Sequence, residues 1–84
     1  MKTEKDFNPE KYELETVVCS KESEVKKHEN KGTKYLTEYL KRFYRIVDLQ
    51  IGDATPDRVC VIYQNLNNPL DIFGVFYKPK FAKN

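Results

Sequence analysis

Hydrophobic and polar positions alternate early in the chain: Tyr12, Leu14, Thr16 and Val18 are interleaved with Lys11, Glu13, Glu15 and Val17, just after the Asn8-Pro9 turn signal. A period of two places successive side chains on opposite faces of an extended backbone, so residues 10 to 19 read as a half-buried strand. Residues 20 to 32 hold Val25 as their only large aliphatic among Lys and Glu and end at Gly32; they read as a mobile, charged loop. The period then changes. Leu36, Leu40, Phe43 and Val47 recur at intervals of four, three and four, opposite Lys34, Thr37, Glu38, Lys41 and Arg42. This is the spacing of one helical face, and it predicts a helix over 33–43 with Thr33 as N-cap and Gly32 as the breaker before it.

From Tyr44 to Ile51 the pattern turns β-branched and alternating, with Arg45, Val47, Leu49 and Ile51 on one side, so a strand follows the helix with almost no loop. Gly52-Asp53-Ala54-Thr55-Pro56-Asp57 is dense in turn formers and predicts a hairpin connection. Arg58 to Asn65 is the most apolar β run and reads as the central strand. Asn67-Asn68-Pro69 turns the chain, and Ile72 to Tyr77 forms the last strand, in which Gly74 suggests a bulge or bend. The reading is a single α+β domain over 1–84, a small, strongly bent antiparallel sheet in the order β-α-β-β-β with one helix, and residues 1–9 a flexible N-terminus. Leu36, Leu40, Phe43, Val47, Leu49, Val61, Tyr63, Val75 and Phe76 are expected to make most of the core.

Composition narrows this further. With 84 residues, 39% hydrophobic and 33% charged, the chain has room for one thin core that depends on its five Phe and six Tyr. No apolar stretch approaches the ~20 residues of a membrane span and no apolar leader follows Met1, so a soluble, cytoplasmic protein is expected, in a host cytoplasm if it is phage-encoded. Cys19 and Cys60 are then reduced thiols. His28 is the only histidine, which leaves a structural zinc site short of ligands. The isolated glycines at 32, 52 and 74 form no phosphate-binding loop. No metal and no cofactor is expected.

Catalytic constellations are absent as well. Ser20 and Ser23 lie in no nucleophile elbow, a Cys19–His28 pair has no indicated pocket, and Asp48, Asp53, Asp57 and Asp71 read as turn residues. A non-enzyme is expected. Charge is distributed unevenly: residues 26 to 45 carry a net +5 inside a chain whose net charge is +2, and Lys26, Lys27, Lys31, Lys34, Lys41, Arg42 and Arg45 are interleaved there with Tyr35, Tyr39, Phe43 and Tyr44. Such a block suits an anionic partner. The leading expectation is a protein-interaction module that binds through Lys34, Tyr35, Tyr39, Lys41, Arg42 and Arg45 together with an aromatic edge at Phe73, Tyr77, Lys78 and Phe81. The second is single-stranded nucleic-acid binding by the 26–45 segment, with phosphates on the basic groups and bases stacked on the rings. Homodimerisation through an open sheet edge is a further option.

The stretch from Tyr44 to Phe81 also carries a motif series. His28 and Lys31-Gly32 are followed by Tyr44-Arg45-Ile46-Val47, then Val61-Ile62-Tyr63-Gln64-Asn65-Leu66, then Phe76-Tyr77-Lys78-Pro79 and Phe81. The series resembles a short bacterial and phage family of uncharacterised SH3-like barrel proteins, with the helix over 33–43 inserted and Lys78 standing where the family has arginine. The resemblance implies an SH3-like barrel or half-barrel. By analogy with small, Lys-rich accessory proteins of phages and mobile elements, the protein partner would be a host enzyme or defence complex that the chain binds and blocks, as anti-CRISPR-type inhibitors do.

Overall fold

A computed structural model of the chain describes residues 11–51 and 58–80. It is an α+β fold. β1 (Tyr12–Val18) leads into a 3-10 helix (Glu24–Lys31), then α1 (Thr33–Phe43), β2 (Tyr44–Ile51), β3 (Val59–Asn65) and β4 (Asn68–Pro79). All pairings are antiparallel and the sheet order is β1-β4-β3-β2. β1 and β2 are therefore the edges. α1 packs against both of them.

The segment read as a loop at 20–32 thus contains a 3-10 helix, and the reason is Val25. Its side chain is fully buried in the core with Leu14, Leu36, Leu40, Tyr44, Val59, Val61, Tyr63, Phe73, Val75 and Tyr77. A lone aliphatic in a charged run gives no periodic signal, yet burying one such side chain contributes about 1.5–3 kcal/mol. The N-cap of α1 is Gly32, not Thr33: Gly32 has φ 98° and its carbonyl accepts from Leu36 N–H at 3.0 Å. Thr33 is the first helical residue and its carbonyl accepts the Thr37 hydroxyl at 2.8 Å. α1 ends where expected, and Tyr44 is already extended as its C-cap, with its N–H bonded to the Leu40 carbonyl.

Two bulges decide which residues face inward. In β1, Leu14 opposes Tyr77 and Thr16 opposes Phe76, so Glu15 is unpaired and the inward parity changes from Leu14 to Val17. In β2, Ile46 opposes Tyr63 and Asp48 opposes Ile62; Val47 is the extra residue and points to solvent, while Leu49 returns to the core. An inserted residue shifts every following side chain by one face. That is why Val18 and Val47 are exposed. Gly74, by contrast, lies in regular register between Val18 and Ile62, and the irregularity of β4 falls earlier. Gln64 opposes Ile72 and Asn65 opposes Asn68, which leaves Pro69, Leu70 and Asp71 without partners.

The core differs from the expected one for the same reason. Phe73, Val75 and Tyr77 point inward, so Phe76 lies on the outer face, and Phe43 is exposed at the last turn of α1. The sequence alternates apolar residues on both faces of β4, and alternation alone does not say which face is covered. The hairpin over 52–57, the N-terminal residues 1–9 and Phe81 lie outside the described residues. Among the described residues, no helix is long and apolar enough to cross a membrane.

Candidate binding surface

A helix turns 100° per residue, so residues interleaved in sequence become separated in space. Tyr35, Tyr39 and Phe43 repeat at four-residue spacing and form a stripe along one flank of α1. Tyr35 and Tyr39 stack with centroids 6.2 Å apart, and Tyr39 meets Phe43 at 5.0 Å. His28 of the 3-10 helix packs on both tyrosines, at 5.6 and 4.5 Å. The ladder then enters the core through Tyr39–Tyr44, Tyr44–Phe73 and Phe73–Tyr63 contacts. Burial, aided by the charge of Glu24, pushes the Tyr39 phenol above its ordinary pKa. Its surface end stays open: Tyr35 and Phe43 are 41% and 42% exposed. Each carries a cation, Lys31 Nζ 5.1 Å from the Tyr35 centroid and the Arg42 guanidinium 5.7 Å from that of Phe43.

Lys34 and Lys41 lie on the opposite flank. With Thr33, Thr37, Glu38 and Lys80 they line a shallow cleft of about 430 Å³ against Tyr12–Leu14 of β1. Thr37 and Lys41 also border a second cleft of about 220 Å³ with Arg45 and Ile46 of β2. Three lysines in this region are matched to acids one turn away, Lys26 with Glu29, Lys27 with Glu24 and Lys41 with Glu38. Lys31, Lys34, Arg42 and Arg45 have no carboxylate partner among the described residues; Arg45 instead donates to Gln64 Oε1 at 2.9 Å. The structure thus brings Lys34, Tyr35, Tyr39, Lys41, Arg42 and Arg45 onto one helix and the strand it runs into.

The expected aromatic edge does not join them. Phe73 and Tyr77 are buried, and their rings serve the core. The Tyr77 and Tyr63 hydroxyls share a hydrogen bond at 2.7 Å, and burial pushes both phenols above their ordinary pKa. Lys78 is half-buried near the far end of β4, on the face turned away from α1.

One polar residue was hidden among the presumed turn aspartates. Asp71 is buried in the β4 irregularity, where it accepts from the Ser23 hydroxyl at 2.6 Å, the Tyr44 hydroxyl at 2.5 Å, Asn65 Nδ2 at 3.0 Å and the Glu24 amide at 3.3 Å. Burial opposes its ionisation, but these donors outweigh burial and hold the carboxyl below its ordinary value. Burial, reinforced by the bond to Asp71, raises the Tyr44 phenol. The hub ties the start of the 3-10 helix, the α1–β2 junction and the β3–β4 turn together, and so fixes the aromatic flank. No sequence pattern marks it, because its donors come from positions 23, 24, 44 and 65.

Cys19 and Cys60 are free thiols, and burial raises the pKa of both. That disfavours the thiolate a Cys nucleophile requires, and no hydrogen bond joins Cys19 to His28 among the described residues. No cluster of three potential metal ligands occurs among the described residues either.

No family model matches the chain. No curated protein and no solved structure shows significant similarity to it.

Proposed function

We propose that the protein is a non-enzymatic interaction module that docks onto an acidic protein surface through the exposed side of α1. One observation carries the reading. Tyr35 and Phe43 are left at the surface under their own cations, on a helix whose single acid, Glu38, is already taken by Lys41, so the uncommitted charge is positive and lies beside open aromatic edges. Tyr and Arg are the residue types that anchor protein interfaces. The Asp71 hub supports the reading by fixing these anchors before binding, which lowers the entropy that association costs.

Nucleic acid is the second reading and is less well supported. Base stacking needs a free ring face next to phosphate-binding cations. Here each exposed ring of α1 already carries a cation and a neighbouring ring, and Lys34 and Lys41 lie on the other flank. The SH3-like family reading stays with this proposal, supported by a sheet that bulges at three places and has α1 packed against both of its edges. A small domain of this kind acts by occupying a surface of its partner, such as a host enzyme or defence complex.

The test is affinity capture from a bacterial lysate with the wild-type chain and with Tyr35→Ala/Arg42→Glu. A stoichiometric protein retained by the wild type and lost by the variant is expected. Equal capture by both, or none by either, overturns the proposal. A labelled 20-base single strand is run in parallel at low and physiological salt; a salt-sensitive shift abolished by Lys34→Glu/Lys41→Glu promotes the nucleic-acid reading instead.

A further inference from the structure

We infer that the groove between β1 and α1 takes an extended acidic peptide as an added strand beside β1. β1 is an edge strand, paired with β4 alone. The Lys80 N–H donates to the Lys11 carbonyl at 3.2 Å, which makes Lys11 and Lys80 a hydrogen-bonded pair of the ladder. The register then makes Glu13 and Lys78 the next such pair, and turns the N–H and C=O of Leu14 away from β4. Pro79, which has no N–H to give, lies opposite Tyr12 at the non-bonded position between those pairs, as the alternation requires. Beyond Leu14 the bulge at Glu15 moves the parity by one, so Val17 again turns its N–H and C=O outward.

Leu14 is only 6% exposed, yet its outward N–H and C=O, like those of Val17, have no hydrogen-bond partner among the described residues. Buried backbone groups are nearly always paired, so an open pair at a sheet edge marks the place of a further strand. The space beside it is free. A cleft of about 430 Å³ touches Tyr12, Glu13 and Leu14 in succession, and a second of about 270 Å³ touches Leu14, Glu15 and Val17. Successive residues of a strand point to opposite faces, so a cleft that meets them all lies along the strand's edge. The facing wall is α1, through Thr33, Lys34, Thr37 and Lys41 in the first cleft and Thr33 and Leu36 in the second. End to end the two follow β1 from Tyr12 to Val17, roughly 17 Å, the span of an extended segment of about five to six residues. The edge of β2 is the poorer site, because the Tyr44 N–H is already bonded to the Leu40 carbonyl and the cleft beside it holds about 220 Å³.

Charge selects the peptide. Lys34, Lys41 and Lys80 border the first cleft, and neither Lys34 nor Lys80 has a carboxylate partner among the described residues. Of the two acids there, Glu38 is bonded to Lys41, which leaves Glu13 against two uncommitted lysines. The acids of the second cleft, Glu15 and Glu29, are held by Arg58 and Lys26. The groove is therefore positive at its Tyr12 end and neutral at its Val17 end. Added antiparallel, like every pairing in this sheet, the peptide runs from the Val17 end to the Tyr12 end, and its Asp or Glu residues fall in its C-terminal half. A peptide strand brings both a donor and an acceptor to Leu14 and to Val17, whereas an isolated anion brings acceptors only. A second copy's β1 would arrive with its own α1 along the same edge. The peptide site lies on the flank of α1 opposite Tyr35 and Phe43, and is independent of the docking surface there.

The test is selection of a displayed library of random peptides on the immobilised full chain, followed by fluorescence anisotropy and amide-exchange NMR with the most enriched peptide. Enriched sequences are expected to carry Asp or Glu in their C-terminal half, and the synthetic peptide to slow exchange of the Leu14 and Val17 amides at least about tenfold. Lys34→Glu/Lys80→Glu should weaken binding about tenfold and, used as bait for the same library, return Lys or Arg at those positions. Val17→Pro removes one outward N–H, leaves the β1–β4 ladder intact and should weaken binding about tenfold; the charge-reversed variant, whose two positions are exposed, carries the test if the proline variant does not fold. Tyr35→Ala/Arg42→Glu should bind the peptide as the wild type does. The inference is overturned by a selection without acidic peptides, by binding that survives charge reversal or is lost in Tyr35→Ala/Arg42→Glu, or by Leu14 and Val17 amides that the peptide leaves unchanged. Amides already protected in the free chain, whether by residues 1–10 or by a second copy, overturn it as well.

Discussion

The Ser23 hydroxyl donates to Oδ1 of Asp71 at 2.6 Å and joins the start of the 3-10 helix to an unpaired residue of β4 that follows it by 48 positions. Three other donors converge on the same carboxylate. A buried anion with four donors is stable only while all of them are present, so the charged segment before α1 and the aromatic ladder share one anchor.

Asp71→Asn is therefore expected to cost about 2–4 kcal/mol at neutral pH, since it removes the charge and places an amide among donors. The pH dependence has a definite sign. The folded carboxyl is held below its ordinary value of 3.8, so its contribution is complete above about pH 4 and is lost as pH falls through the lower, folded value. Urea unfolding at pH 7, 4 and 2.5 should show the wild type losing more stability over the acid step than the variant. Equal losses would contradict the role assigned to Asp71.

The Tyr63 and Tyr77 hydroxyls pair at 2.7 Å inside the core. A double-mutant cycle with Tyr63→Phe and Tyr77→Phe should return a coupling of about 1 kcal/mol, measured by chemical denaturation. Their phenols, and that of Tyr44, are raised above 10. Stability from these groups is complete below pH 10 and is lost as pH rises toward the folded values. Absorbance at 295 nm should accordingly show a delayed set of tyrosines whose ionisation coincides with alkaline unfolding.

Gly32 caps α1 with φ 98° and ψ 157°, a region close to glycine-only, and an added Cβ there would meet nothing within 4 Å. Gly32→Ala should thus cost about 1–3 kcal/mol through backbone strain alone. D-alanine at the same position, introduced by chemical synthesis, should restore most of that loss. If both enantiomers destabilise equally, crowding and not φ is the cause.

Gly74 is constrained by space instead. In Gly74→Ala the new Cβ meets Cys60 Sγ at 3.3 Å, which offsets the ~0.5–1 kcal/mol that alanine gains over glycine in a strand. The single variant is expected within about 1 kcal/mol of the wild type, and Cys60→Ala added to it should raise stability. A thermal melt that ranks the pair below Gly74→Ala would refute this account.

The sequence by itself determined what depends on local pattern. The period of four and three from Leu36 placed α1, the β-branched runs placed β2 and β3, and the charge block placed Lys34, Lys41, Arg42 and Arg45 on one helix and its extension. These signals were legible because each arises from neighbours within a turn or a strand. Tertiary structure alone decided the rest. Bulges at Glu15 and Val47 reversed which side chains face inward, and only pairing with β4 and β3 creates a bulge. The two apolar faces of β4 look alike in sequence until the helices cover one of them, which is why Phe73 and Tyr77 serve the core and Phe76 the surface. Val25 and Asp71 gained their importance from partners far along the chain, and a single residue surrounded by distant neighbours leaves no period to read.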